Sequence, residues 1–162
     1  MKKLLSLFTS SILIFACADV TNPGSINRYF YANSELSSPQ ENVGMYVNWT
    51  AGDKIAFKFE LIHPDEINIA DDELTEIFWI EIPSGITEFS KTHLMDSEVE
   101  VYYVRSCFCG FTIFEFSEYE VEGERLNNGT WQVSFKMTAK SDSYDHEFTL
   151  EDSGTYSLGQ RE

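Results

Sequence analysis

The stretch that decides the fold covers residues 43–61 and reads VGMYVNWTAGDKIAFKFEL. Apolar side chains stand at every second position in two runs, which is the pattern of a β-strand with one buried face. Ala51-Gly52-Asp53 separates the runs and predicts a turn, so the two runs are expected to form a hairpin. The alternating apolar residues are Val43, Met45, Val47 and Trp49 in the first run and Ile55, Phe57, Phe59 and Leu61 in the second.

Similar segments continue to the end of the chain. Asn127-Asn128-Gly129 offers residues that tolerate positive φ and predicts a tight hairpin turn. Residues 63–76 are the only helix candidate, and their poor apolar spacing predicts a loop or one or two turns. Residues 83–97 are expected to be irregular. Further strands are predicted at residues 76–82, at 98–116 as two strands bending near Gly110, at 118–126, at 131–137, and at 148–150 and 156–158 around Ser153-Gly154.

The predicted fold is all-β, with about eight or nine short strands and little helix. Many short strands at hairpin spacing are typical of an antiparallel β-sandwich or a small β-barrel. The single β-domain is expected over residues 43–162. Residues 17–42 are rich in Ser, Asn and Pro and predict a flexible tether. Tyr29-Phe30-Tyr31 interrupts the tether and is expected to dock on the domain or to begin a first strand.

The N-terminus has the pattern of an export signal. Lys2 and Lys3 precede a run of 13 uncharged residues, 4–16, which ends at Ala16. A membrane-spanning helix needs about 20 apolar residues. The run is therefore too short to span a bilayer, and its length is typical of the hydrophobic part of a secretory signal peptide.

The end of this run, Ile14-Phe15-Ala16-Cys17, resembles the lipobox of bacterial lipoproteins. In a lipobox an aliphatic residue, a tolerant position and a small residue precede a Cys; Phe15 departs from the usual small or hydroxylated residue. The resemblance covers residues 1–17 only. It implies a signal peptide over residues 1–16 and lipidation of Cys17. The protein would then be anchored to a membrane of the bacterial cell envelope, outside the cytoplasm. The alternative is an ordinary signal peptide cut near Ala16 or Ala18.

The charge of the chain favours some partners over others. The sequence has 27 acidic and 11 basic residues, for a net charge of −16. Removing residues 1–16 takes away two Lys and no acid, which leaves 9 − 27 = −18. This balance argues against nucleic acid, whose binding requires Lys and Arg to neutralise phosphates. It favours a cationic protein partner.

Two groups of carboxylates are candidate binding residues. The first is a row at every second position, which an extended strand would place on one side; its parity conflicts with Phe116 upstream and predicts a bulge near Ser117. Either group could attract a hard cation or a basic partner. Each could equally be a solvated surface, and for the row one that resists aggregation. The row is Glu118, Glu120, Glu122 and Glu124, and the second group is Asp71, Asp72 and Glu73.

No motif of a cofactor site or of a metal site stands out. Phosphate-binding Gly-rich loops are absent from the sequence, so no cofactor is expected. Cys107 and Cys109 are two residues apart without a CxxC or HxxxH motif beside them. Half-buried thiols, a disulfide and a metal site all remain open for this pair.

Catalytic motifs are also missing. There is no G-x-S-x-G nucleophile elbow. Asp145 and His146 are adjacent, so on an extended chain their side chains point apart. The sequence therefore favours a non-catalytic, membrane-anchored lipoprotein that binds a protein or another envelope ligand. One alternative is an envelope hydrolase that uses carboxylates or a metal. A subunit that offers an exposed strand edge to a partner is another.

A short motif suggests a third alternative. Ser153-Gly154-Thr155-Tyr156 is similar to the Ser-Gly-x-x-Tyr signature of small bacterial lipoproteins that inhibit lysozyme, although it is one residue shorter. The resemblance implies inhibition of a basic enzyme such as lysozyme, which agrees with the acidic charge. Trp49, Trp79 and Trp131 fall within predicted strands and are expected to pack in the core rather than to form a sugar-binding surface.

Overall fold

The computed structural model describes residues 24–37, 47–64, 74–106, 114–141 and 147–160. These residues form eight strands and no helix, in one mixed sheet that curls into a half-barrel, which confirms the all-β prediction. None of the described ranges contains a helix that is long and apolar enough to cross a membrane. The strands are β1 (Ser25–Ser37), β2 (Asn48–Ile62), β3 (Thr75–Pro83), β4 (Glu88–Thr92), β5 (Glu100–Ser106), β6 (Phe114–Arg125), β7 (Trp131–Ser141) and β8 (Glu147–Leu158).

The strand order in the sheet is β4-β6-β7-β8-β1-β2-β3-β5. Neighbouring strands are antiparallel except β1 and β8, which are parallel. This pair departs from the purely antiparallel prediction. The two strands stand at opposite ends of the described chain, so no hairpin connection dictates their relative direction.

The curl of the sheet buries one face against itself. Strands β2 and β3 pack over β6 and β7, and the ring centroids of Phe78 and Phe135 lie 4.4 Å apart. Phe59 contacts Phe135 edge-on at 5.1 Å, and Phe57 contacts Trp131 edge-on at 5.2 Å. Every second residue along the central parts of β2, β3 and β7 belongs to this core, as the alternating pattern predicts. Its most enclosed members are Phe57, Phe59, Phe78, Ile80, Ile82, Trp131, Val133, Met137, Ala139 and Tyr156.

Strand β1 corrects the predicted domain boundary. Residues 25–37 were expected to belong to the tether, yet they pair with β2 along their length and with β8 at Tyr29 and Phe30. Phe30 is buried in the core, so the aromatic tripeptide is part of a first strand, one of the two outcomes expected for it. The sheet therefore begins at Ser25, and the boundary at residue 43 is wrong. Hydrogen bonds to two neighbouring strands stabilise this polar segment.

The predicted turn at Ala51-Gly52-Asp53 is also wrong. Residues 48–62 form one strand, and Ser34 of β1 pairs with both Ala51 and Lys54. Gly52 and Asp53 are thus extra residues in an irregularity of the ladder rather than the tip of a hairpin. The hairpin partner of β2 is β1. A bulge and a turn both place residues such as Gly and Asp between strand-forming residues. The local sequence pattern therefore does not distinguish the two.

Most of the other strand predictions hold. The ladder between β6 and β7 shifts register between Phe116 and Glu118, which confirms the bulge near Ser117. Gly129 has φ of +83° in the turn after β6, which confirms the turn at residues 127–129. Residues 83–97 contain β4, and residues 147–158 form one strand instead of two. Of the helix candidate over residues 63–76, residues 65–73 lie outside the described residues, and Thr75 and Glu76 begin β3. The bend at Gly110 also lies outside the described residues.

A second apolar cluster covers part of the opposite sheet face. The β1–β2 hairpin carries Leu36 and Trp49 over the outer surface of β2, β3 and β5. There the ring of Tyr31 lies 4.9 Å from that of Trp49 and 6.1 Å from that of Trp79. Trp79 is consequently buried although it points away from the main core. The buried members are Leu36, Val47, Ala56, Trp79 and Val104.

Candidate functional site

The outer surface of β4, β6, β7 and β8 is an acidic face. Its residues alternate with core residues along each strand, so their side chains point into water. Three of the cross-strand rows are Glu88–Glu124–Gln132–Thr155, Ser90–Glu122–Ser134–Ser153 and Thr92–Glu120–Lys136–Glu151. The exposed carboxylates of this face are Glu88, Glu115, Glu118, Glu120, Glu122, Glu124, Glu147 and Glu151.

The charge on this face is strongly unbalanced. The face carries eight carboxylates and two ammonium groups, those of Lys136 and Lys140, so its net charge is 2 − 8 = −6. Glu88 lies directly opposite Glu124 in the ladder. Like charges in that position destabilise a sheet. The charge of the face therefore opposes its own folding stability.

Polar side chains surround an open hollow of about 350 Å³ on the acidic face. The hollow lies along the edge strand β4. Ser134 Oγ donates a hydrogen bond of 2.9 Å to Glu122 Oε1 at its floor. The Lys91 ammonium donates to Val99 O and is therefore not among the ammonium groups of the acidic face. The residues that line the hollow are Ser90, Lys91, Thr92, Glu120, Val121, Glu122, Ser134, Phe135 and Lys136.

The structure bears on some of the residues singled out from sequence. Glu118, Glu120, Glu122 and Glu124 all lie exposed on the acidic face, and β4 and β8 add carboxylates that the sequence did not associate with them. Within the described ranges no three His, Cys, Asp or Glu side chains are placed to hold a metal ion. Six other candidate residues, namely Cys17, Asp71, Asp72, Glu73, Cys107 and Cys109, lie outside the described residues.

A buried polar cluster, which the sequence did not reveal, lies at one end of the half-barrel. Glu76 Oε1 accepts a hydrogen bond of 2.6 Å from the Tyr103 hydroxyl, and Glu76 Oε2 lies 2.7 Å from His63 Nε2. Arg105 stands opposite Glu76 in the β3–β5 ladder. Burial raises the pKa of Tyr103, and the charge of Glu76 raises it further. Glu76 shares its strand parity with Phe78, so a carboxylate on an apolar face was the available signal.

Packing encloses the Glu76 carboxylate of this cluster, while the His63 side chain at its border is 35% exposed. Glu76 is only 7% exposed, and the ring of Tyr103 lies 5.3 Å from that of Phe148. The carboxylate already accepts bonds from two neighbours. The cluster therefore satisfies polar groups inside the fold.

Two sequence motifs take structural positions. Ser153-Gly154-Thr155-Tyr156 lies within β8, and the Tyr156 side chain is fully buried in the core. Trp79 and Trp131 are buried, and Trp49 is half-buried against Tyr31. Core packing of Trp79 and Trp131 is thus confirmed.

Comparison with known proteins gives no match, whether with family models, with curated proteins or with solved structures.

Proposed function

We propose that this chain is a lipid-anchored lipoprotein of the bacterial cell envelope whose β-domain binds a cationic protein through the acidic face. The binding domain is non-catalytic and needs no cofactor. Cys17 carries the lipid, and the sheet beginning at Ser25 presents the face. Acidic surfaces attract basic partners by raising the rate of encounter and by disfavouring acidic competitors.

One observation carries the proposal, namely the concentration of eight exposed carboxylates against two Lys on one sheet surface. Stability alone would disfavour pairs such as Glu88 opposite Glu124. The opposite surface of β1, β2, β3 and β5 holds an apolar cluster instead. The charge is therefore placed on one surface, as recognition of a cationic protein requires.

The positions of the ionisable groups favour a binding function over a hydrolase function. The described hollow is lined by Glu120, Glu122 and Lys136 on an open sheet surface, where water enters freely. In the Glu76–His63 pair the carboxylate is buried and already accepts a hydrogen bond from Tyr103, and the His63 ring, whose side chain is 35% exposed, is bonded to that carboxylate. Neither arrangement pairs a poised base with an accessible reacting position, as acid–base catalysis requires.

Neutralising the acidic face should weaken binding to a basic protein. The triple variant E120Q/E122Q/E124Q removes three exposed charges, and exposed ion pairs contribute about 0.2–1 kcal/mol each. The affinity for lysozyme, used as a strongly basic probe, should fall about tenfold at low salt. Titration calorimetry of the full chain in detergent measures this fall.

A matched control carries the same charge change elsewhere. E35Q/D53N/E100Q removes three exposed charges from β1, β2 and β5, none of which belongs to the strands of the acidic face. Its affinity should change less than threefold. Equal losses in the two variants, or no binding of the basic probe by the unaltered chain, would contradict the proposal.

The lipid anchor has a separate test. Cys17→Ala removes the only thiol that follows the signal-like segment directly, so metabolic labelling with a fatty acid should be lost completely. The protein should also leave the membrane fraction. Labelling that persists in Cys17→Ala would overturn the lipoprotein assignment without touching the proposed role of the acidic face.

A further inference from the structure

Strand β4 forms one edge of the sheet, and its backbone shows which groups face outward. Arg125 N donates to Thr87 O and His93 N donates to Tyr119 O, each at 2.8 Å. Hydrogen-bonded positions alternate along an antiparallel ladder, so Phe89 and Lys91 also bond to β6. The peptide groups of Glu88, Ser90 and Thr92 therefore point away from the sheet.

Within the described part of the chain, no strand pairs with that outward side of β4. Thr92 O accepts a bond from Met95 N in the following turn, which leaves the Ser90 N–H and C=O at the centre of the edge. Strand β4 thus has an outward backbone that can accept another strand.

The surroundings of this edge are suited to an extended basic segment. The side chains of Glu88, Ser90 and Thr92 belong to the acidic face, next to Glu120, Glu122 and Glu124 of β6. Side chains directly opposite on neighbouring strands lie about 5 Å apart, so a Lys or Arg on an added strand would lie beside Glu88, and the carboxylates of β6 would be one strand spacing, about 5 Å, further away. At the end of β4 the turn exposes Leu94 to 94% and Met95 to 39%, which adds an apolar contact.

We propose that β4 binds an extended, Lys- or Arg-rich segment of a partner protein as an additional strand of the sheet. Backbone hydrogen bonds from Ser90 provide the attachment, and the carboxylates beside the hollow select a basic segment. The inference rests on the proposed function, because the same acidic face supplies the charge. It adds the conformation of the bound segment and the backbone groups that hold it.

A second copy of this chain is a poorer occupant of the same edge. Two copies joined through β4 would place two acidic faces side by side, each with the net charge of −6 counted above. Two surfaces with the same sign of charge repel each other. A basic segment meets the same edge with opposite charge.

The substitution Ser90→Pro tests the attachment directly. Proline removes the outward N–H and places its ring there, while the bonds of Phe89 and Lys91 to β6 remain. Ser90→Thr keeps the N–H and is the matched control. The probe is a synthetic peptide of alternating Lys and Val, titrated into the full chain in detergent. Affinity should fall at least about tenfold in Ser90→Pro and less than about twofold in Ser90→Thr.

Amide hydrogen exchange gives a second readout that does not depend on the proline variant. The peptide should slow exchange of the Ser90 amide in the unaltered chain by about tenfold or more, whereas the Phe89 amide should change little. If Ser90→Pro fails to fold, this measurement decides alone. Equal peptide binding by both variants with unchanged Ser90 exchange overturns strand addition and leaves charge-based binding intact.

The remaining outcomes are also decisive. Binding of lysozyme without binding of the peptide overturns strand addition only. Failure of both basic probes overturns the proposed function as well. A complex that contains two copies of the chain by light scattering, with the peptide absent, would show that the edge is an interface between copies and would overturn the partner-segment assignment.

Discussion

Glu81→Ala should lower the free energy of unfolding by about 3 kcal/mol, the low end of the range for breaking a buried ion pair. The carboxylate is 1% exposed, lies on the outer surface of β3, and has two partners. Lys54 Nζ and the Leu36 backbone N each donate a hydrogen bond of 2.5 Å to it. Alanine would leave both donors without an acceptor, and only Lys54, whose side chain is 34% exposed, could recover bonds from water.

The loss should extend beyond these two bonds. Leu36 is one of the buried residues that cover Trp79 on the outer sheet surface. The Leu36–Glu81 bond ties this end of the β1–β2 hairpin to the surface, so its loss should let water reach Trp79. Urea denaturation followed by tryptophan fluorescence measures both effects, since the folded-state emission should shift to longer wavelength as the midpoint falls.

Glu100→Ala is the matched control for Glu81→Ala. Glu100 stands directly opposite Glu81 in the β3–β5 ladder but is exposed, so its removal should change stability by less than about 0.5 kcal/mol. Glu81→Gln should fall between the two, because an amide oxygen still accepts from Leu36 N. Similar midpoints for Glu81→Ala and Glu100→Ala would show that Glu81 does not hold the hairpin.

The Lys54–Glu81 ion pair also makes the folding stability depend on pH, and the sign of that dependence can be predicted. The hydrogen bond from Lys54 to Glu81 raises the pKa of Lys54 despite an opposing effect of burial. A raised pKa means that this stabilisation is complete below the ordinary Lys pKa of about 10.4 and is lost as pH rises through the folded-state value. The stability difference between the unaltered chain and Glu81→Ala should therefore shrink at alkaline pH.

Sequence pattern predicts a strand where the alternation of residues within that strand is enough to define it. Strand β3 was expected at residues 76–82 and spans Thr75–Pro83, because one strand period decides it. The bulge near Ser117 also followed from a parity conflict within a few residues. Burial of Glu81 was not predictable, since the covering Leu36 lies 45 positions away in the chain.

Strand β1 shows the same limit. Its sequence SINRYFYANSELS contains Ser and Asn in a composition typical of linkers. It is a strand because β2 and β8 supply hydrogen-bonding partners on its two sides, and β8 is more than 100 residues distant. No local pattern carries that information.

The sequence predicted the carboxylate row along one strand of the candidate site but not the surface around it. The period of two placed Glu118, Glu120, Glu122 and Glu124 on one side of a strand, and the structure agrees. The neighbours that turn this row into a surface, such as Glu88 and Glu151, come from other strands and depend on register. The outward backbone of β4 depends on the strand order, which short-range periodicity does not determine.

Gly154→Ala should destabilise the fold by about 2–3 kcal/mol, although Ala normally stabilises an extended strand relative to Gly. Strands β1 and β8 pair only at Tyr29–Ser157 and Phe30–Leu158 in register, with one further bond from Gly159 N to Phe30 O. This short parallel seam joins the two halves of the sheet. A charged pair, Arg28–Asp152, reinforces it from the inner side.

The Arg28 guanidinium lies over Gly154. Its Nε donates to Asp152 Oδ2 at 2.7 Å and its Nη2 to Asp152 Oδ1 at 2.5 Å, and the Asp152 side chain is 7% exposed. The hydrogen bonds from Arg28 to Asp152 raise the pKa of Arg28 despite partial burial. A Cβ at position 154 would come within 2.5 Å of Arg28 Nε. Alanine therefore requires the guanidinium to shift, and we expect that shift to weaken its bidentate contact with Asp152.

A double-mutant cycle separates this cause from a general effect on the strand. In an Arg28→Met background the flexible side chain can move aside and there is no ion pair to break, so Gly154→Ala should cost less than about 1 kcal/mol. The coupling between the two sites should be about 2 kcal/mol. Ser153→Ala, on the exposed side of the same strand, should change the unfolding free energy by less than about 0.5 kcal/mol.

Additive costs of Gly154→Ala and Arg28→Met in urea denaturation would show that Gly154 matters for another reason. Coupling of the expected size would mean that the absence of a side chain at position 154 preserves the Arg28–Asp152 pair. That reading also explains why Ser153-Gly154 does not break β8 into two strands. The glycine is required by the side chain that crosses it, and the strand continues through it to Leu158.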